Sequence, residues 1–190
     1  MRTVMLVVSV FVACVTGSRA VAQDKSDDRS FSVGEGKLTF AVPDGWTKKQ
    51  PQTRIVEAEL ATPAAKAGGA DAAGGRMTAM GAGGSLQANI DRWVGQFAGE
   101  GGAAVTPKLD KLNVNGCEVQ IVDLSGTYKD TPGGPFAGGK TVNRDNYRML
   151  AAIVQTKDAG YYFLKLYGPK TAIDEAEKGF FEMIKSLKLK

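Results

Sequence analysis

The sequence predicts an α+β fold: a mainly antiparallel β-sheet flanked by two amphipathic helices, an α/β/α sandwich. Three observations carry this. Apolar residues alternate with period two along much of the chain, and the runs meet at tight-turn sequences, the pattern of hairpins. Two stretches, 86–97 and 173–187, instead space their apolar residues for one face of a helix. Hydrophobic residues make up 43% and charged residues 23% of the 190 residues, ordinary globular usage.

The elements follow in order. Phe31 and Val33 alternate, Gly34-Glu35-Gly36 turns, and Leu38, Phe40 and Val42 alternate again: a hairpin with one buried face. Pro43-Asp44-Gly45 stops it, and Trp46 folds back as a core plug. Residues 53–60 read as a strand with Val56, Ala58 and Leu60 on one face and Ile55, Glu57 and Glu59 on the outward one. Residues 61–75 are low-complexity in Ala and Gly and read as a hairpin connection, after which 76–82 resumes as a strand. Ser85 caps the first helix, whose stripe is Leu86, Ile90, Trp93, Val94 and Phe97; Gly99, Gly101 and Gly102 end it.

Residues 108–114 then meet Asn115-Gly116, a strong two-residue hairpin signal, and 117–128 returns. Its apolar parity shifts between Ile121 and Val122, which calls for a bulge or for burial on both faces. Residues 131–146 form a Gly/Pro-rich loop. Strands at 147–155 and 161–167 pair around Asp158-Ala159-Gly160. The last helix begins at Thr171 with Asp174 in capping-box position, and buries Ile173, Ala176, Phe180, Ile184 and Leu187. This order gives one domain over 31–190, preceded by a polar tail at 23–30.

The first 22 residues read as a signal peptide. Arg2 precedes the apolar run 4–15, and Ala20-Val21-Ala22 offers small residues for cleavage after Ala22. A bilayer span needs ~20 apolar residues, and Thr16 to Arg19 interrupt the run before that length. The alternative is a lipoprotein processed at Cys14. Cleavage after Ala22 removes two of the 24 Lys and Arg residues and none of the 20 acidic ones, leaving a net charge of +2. No basic block tracks phosphates; Lys48, Lys49, Lys185, Lys188 and Lys190 read as a solvated face. Nucleic acid is therefore not an expected partner. Cys117 is then the single cysteine, too few for an internal disulfide, and reads as a small core residue.

Chemistry is restricted further. There is no histidine, which removes Ser-His-Asp and Cys-His catalysis and imidazole zinc sites. Carboxylates do not cluster at metal-ligand spacing. Asp91 and Asp123 are the conceivable acid/base pair, but ion pairs with Arg92 or Arg148 explain them more simply. Gly134 to Thr141 matches G-x-x-x-x-G-K-[ST]. A phosphate loop needs a strand just before it and a helix opening at Lys140, and 142–146 has no helical pattern. Neither nucleotide nor any other cofactor is expected. Gly81 to Ser85 reads as a tight turn with a capping serine rather than an anion site.

Asn89, Arg92, Trp93, Gln96 and Phe97 lie in a stretch, 84–97, that resembles a segment of a family of uncharacterised exported bacterial proteins. Residues 123–128, 135–140 and 167–169 are similar to the same family. Phe40-Ala41-Val42-Pro43-Asp44-Gly45-Trp46 resembles the start of PsbP-like domains, which implies an antiparallel sheet between helices. Neither resemblance implies a catalytic residue.

The expected function is a non-catalytic extracytoplasmic binding or accessory domain, monomeric and not integral to the membrane. Its partner would be an extracytoplasmic protein or a small molecule. The alternative is a small His-free, metal-independent enzyme using carboxylate, Tyr or Lys chemistry. Partner contacts are expected from Phe136, Lys140 and Arg144 on the long loop, and from Asn89, Arg92 and Gln96 on the polar side of the first helix. Long loops without their own core are often functional, and an aromatic with two cations suits an anionic or partly apolar partner.

Overall fold

The computed structural model describes residues 29–66, 72–131, 140–157 and 160–190. The expected signal peptide, Cys14, the tail to residue 28, residues 67–71, Phe136 with the rest of 132–139, and Asp158-Ala159 lie outside the described residues.

The chain runs through β1 (Ser30–Val33), β2 (Leu38–Ala41), β3 (Thr47–Lys49), β4 (Ala58–Ala64) and β5 (Gly74–Ala82) to helix α1 (Leu86–Val94). Then come β6 (Phe97–Ala98), a 3₁₀ turn (Glu100–Gly102), β7 (Lys108–Val114), β8 (Cys117–Asp130), β9 (Val142–Gln155) and β10 (Tyr161–Pro169). Helix α2 (Lys170–Lys185) and β11 (Lys188–Leu189) complete it. One small sheet has the order β1-β2-β11. The large sheet has the order β3-β4-β5-β10-β9-β8-β6, with β7 also on β8. Every pairing among the described residues is antiparallel.

The large sheet is covered on both faces. On one, α2 and the small sheet bury Leu38, Phe40, Trp46, Leu60, Met77, Leu150, Leu164, Phe180 and Ile184. On the other, α1 and β6 bury Ile90, Trp93 and Phe97 against Val122, Leu124, Met149, Ile153 and Phe163. The Trp93 ring meets Phe163 edge-on, with centroids 5.2 Å apart. The expected α+β class, Trp46 as a plug, buried Cys117 and the α2 stripe are all observed.

Several boundaries differ from expectation, each for a local reason. Helix α1 stops at Gly95, whose N–H bonds Asp91 O and Trp93 O; Phe97 therefore reaches the same core from β6, opposite Tyr128, and not from the helix. Strand β4 starts at Ala58 and runs into the Ala-rich stretch, where a register shift between Ala61 and Ala64 accommodates the Gly75 N–H bond to Thr62 Oγ1, 2.7 Å. Glu59 does not point to solvent; it is buried. The parity change at Ile121/Val122 is burial on both faces, since the β8–β9 register is unbroken from Glu118 to Gly126. Helix α2 begins at Lys170 after Pro169 with no side-chain cap, and Asp174 serves ion pairs instead. Finally, 142–146 belongs to β9 and not to the loop expected over 131–146, because it pairs with the end of β8.

No helix among the described residues is long and apolar enough to cross a membrane.

Candidate functional site

Strand β10 is Tyr-Tyr-Phe-Leu-Lys-Leu-Tyr-Gly-Pro, and alternation sorts its side chains. Tyr162, Leu164 and Leu166 join the α2 core, while Phe163 joins the α1 core. Lys165 shares the parity of Phe163 and Tyr167, so it enters the α1 face of a sealed central strand, between Ala151 of β9 and Thr78 of β5. It is only 8% exposed.

Its ammonium donates to Gln96 Oε1 at 2.7 Å. It also lies 5.3 Å from the Tyr128 ring centroid and 4.9 Å from that of Tyr167, within cation–π range. Tyr128 is the hub of an aromatic cluster: Phe97 at 5.2 Å, Tyr167 at 5.3 Å, and Tyr147 parallel at 6.0 Å. Burial chiefly holds the Tyr128 phenol well above its ordinary value.

The surrounding backbone explains how these groups meet. Asn89 Nδ2 donates to Gly83 O and Ser85 O, and Ser85 Oγ accepts from Ala88 N, fixing the entry of α1. At its exit, Gln96 O accepts from Lys129 N at 2.8 Å, which pins the turn beside β8. Gly126 lets β6 pass close, since a Cβ there would lie 2.4 Å from Ala98 O. Strand β9 carries an extra residue opposite the step from Gly126 to Tyr128, with Asn146 at φ 58°. The resulting shift of parity sets Arg144 opposite Tyr128, where it pairs with Asp130 at 3.3 Å.

Charge is distributed unevenly. Arg76 forks onto Glu59, with Nε–Oε1 2.8 Å and Nη2–Oε2 2.7 Å, and donates from Nη1 to Tyr167 Oη at 2.8 Å. That fork holds the Glu59 carboxyl below its ordinary value. Glu59 is thus engaged by Arg76 and Asp130 by Arg144. Among the described residues no ion pair reaches Lys165 or Arg92. Burial, then the charges of Arg92 and Arg76, push the Lys165 ammonium down from 10.5 to about 7, against a smaller opposing pull from Asp130. The site therefore combines an amine pushed down to about 7, an aromatic cage and neighbouring cations.

The sequence-selected residues fall as follows. Gln96 is in the site, as the partner of Lys165. Arg92 is exposed beside it. Asn89 is buried and spent on the loop before α1. Arg144 is at the margin, tied to Asp130, and Lys140 is exposed. Lys165, Tyr128, Tyr167, Arg76 and Glu59 escaped sequence reasoning. The signal for Lys165 was a lone cation in an apolar strand, at the parity of Phe163.

Other expectations are resolved elsewhere. Asp123 and Asp91 do not meet: Asp123 is clamped by Arg148, as the simpler expectation had it, on the face opposite α1, and Asp91 accepts from Gln87. Lys140-Thr141 is followed by β9, not by the helix a phosphate loop requires. No group of three or more metal-ligating side chains converges among the described residues.

An antiparallel sheet with a helix on each face, its central strand sealed on both sides, defines the class of fold. The solution structure of cyanobacterial PsbP (CyanoP) from Synechocystis sp. PCC 6803 is similar, with TM-score 0.50 and 10% identity over 85% of this chain and 91% of that one. The likeness establishes a PsbP-like fold and nothing about activity. A Bacteroides thetaiotaomicron VPI-5482 structure (TM-score 0.46, 9% identity, 86% of this chain and 48% of that one) and a Pseudomonas aeruginosa protein of unknown function (0.42, 9%, 85% and 96%) are more distant. No protein-family model matches the sequence, and no curated protein does.

Proposed function

We propose that the chain is a non-catalytic extracytoplasmic binding domain, exported by a signal peptide cleaved after Ala22, whose ligand binds at Lys165 and its neighbours. The observation that carries this is the buried Lys165 ammonium, which has no carboxylate partner among the described residues. Taking an ion out of water costs several kcal/mol, and an apolar side chain of similar volume would suit the α1 core better. Such a cost, beside the exposed Arg92 guanidinium, supports the reading of a group kept for something that arrives from outside. Gln96, bonded to Lys165, and the exposed Arg92 agree with that reading.

The test is native mass spectrometry of the protein purified from its own host. A small molecule or protein carried by the wild type and lost in Lys165→Met supports the proposal. Wild-type protein free of any companion, or one retained in full by Lys165→Met, overturns it.

A second reading is favoured by one observation, the ammonium held down to about 7. A neutral amine at physiological pH is a nucleophile for carbonyl compounds, which would make the chain a His-free, metal-independent enzyme. Incubation with an aldehyde and cyanoborohydride separates the two. An adduct confined to Lys165 favours the enzyme; labelling of surface lysines alone favours the binding domain.

A further inference from the structure

We infer that the cluster around Lys165 is built for an oxyanion, a carboxylate or phosphate group of its ligand, held by Lys165 Nζ, the Arg92 guanidinium and the Gln96 carboxamide. This rests on the proposed binding role and adds the chemical class of what is bound.

The inventory of free hydrogen-bonding groups carries the inference. Gln96 turns its oxygen to the Lys165 ammonium, so its NH₂ group is the part left to meet a ligand. The Tyr167 hydroxyl already accepts from Arg76, which leaves its proton to be donated elsewhere. Lys165 has protons beyond the one given to Gln96, and guanidinium offers donors only. Among the described residues the nearby carboxylates are already engaged, Glu59 by two bonds from Arg76 and Asp130 through Oδ2 by Arg144. A ligand therefore meets donors and positive charge together. A cation would be repelled, and a neutral ligand would leave the buried charge uncompensated. The rings of Tyr128, Tyr147 and Tyr167 supply an apolar flank for whatever body bears the anion.

Binding of an anion is then linked to the proton on Lys165. The charged and titratable groups around that ammonium are Arg76 on β5 with Glu59 on β4, Arg92 on α1, Tyr128 and Asp130 on β8, Tyr147 and Arg144 on β9, and Tyr167 on β10. As pH rises through about 7 the ammonium loses its charge and the site loses part of its attraction.

The experiment is an NMR titration of the ¹⁵N-labelled chain with benzoate and, separately, inorganic phosphate. Saturable shifts are expected at the amides of Gln96, Tyr128, Lys165 and Tyr167. Affinity should fall about tenfold or more between about pH 6 and about pH 9. Lys165→Met and the surface variant Arg92→Ala should each abolish or sharply weaken the response. Response to benzoate alone identifies a carboxylate site, to phosphate alone a phosphate site, and either supports the inference. No saturable response to either anion, or an unchanged one in Lys165→Met, overturns it. A neutral or cationic molecule co-purifying with wild type but not with Lys165→Met would also overturn it, while leaving the binding role standing.

Discussion

Each face of the large sheet holds a cation on one of two neighbouring strands, half-buried Arg148 and buried Lys165, and the two are partnered in opposite ways. On the α2 face, Arg148 of β9 takes Asp123 in a two-pronged bond at 2.9 and 3.0 Å, Asp174 at 2.8 Å and Glu177 at 2.7 Å. The bond to Asp123 is the main reason its guanidinium is held more firmly protonated than usual. On the α1 face, Lys165 of β10 has a carboxamide and two aromatic rings but no acid. A cation with three carboxylates stitches β8, β9 and α2 together and wants nothing further. A cation with none is incomplete within the chain. The difference is what motivates placing the proposed binding role on the α1 face.

The largest expected effect lies in the packing that carries the α1 face. Trp93→Ala removes a fully buried ring from its contact with Phe163 and should cost ~3–5 kcal/mol in a denaturant titration. A mild loss would mean that α1 is not anchored there and that Gln96 is not held against Lys165.

Next comes the structural cation. Arg148→Met strands Asp123, Asp174 and Glu177 and should destabilise by about 2–3 kcal/mol at neutral pH, less than a fully buried pair because the acids are partly exposed. The loss should shrink in acid. The Asp174 carboxyl, though burial opposes it, is held below its ordinary value by bonds from Lys170 and Arg148. Its share is present above the ordinary carboxylate range and disappears as pH falls through its lowered value.

Lys165→Met should behave differently, and pH shows how. Between about 7 and 10.5 the folded chain leaves Lys165 neutral while the unfolded chain keeps it charged, so the unfolded state binds more protons. Stability therefore rises with pH across that window, by up to ~1.4 kcal/mol per unit from this group. Below the window both states are charged and the contribution is flat. The variant should lose that rise and be at least as stable as wild type at neutral pH; a parallel pH profile would refute this. The smallest effect belongs to Arg92→Ala, within about 0.5 kcal/mol by thermal unfolding, since its side chain is exposed.

The same contrast explains what sequence could show. The β1–β2 and β7–β8 hairpins were legible because period-two runs meet residues fitted to tight turns, as at Asn115-Gly116. The α2 stripe was legible because helical spacing repeats over several turns. Phe97 was misplaced because it buries in the same core as Trp93 whether helix or strand delivers it. Residues 142–146 lack apolar residues beyond Val142, yet pair with β8, so their strand is set by the partner's backbone and not by their own pattern. Gln96 and Arg92 stood out as more polar than a packing helix needs. Lys165 did not, because a lysine in a strand reads as solvent-facing until both faces of that strand are known to be covered.

The most direct measurement is the titration of Lys165 itself, followed by the side-chain resonances of selectively labelled lysine in wild type and in Gln96→Ala. A midpoint near 7 that moves in Gln96→Ala, on a resonance separate from those of the other lysines, is the expected result. A midpoint at the ordinary lysine value of 10.5 would mean that the ammonium stands in water, and that the α1 face holds no unsatisfied charge for a ligand to meet.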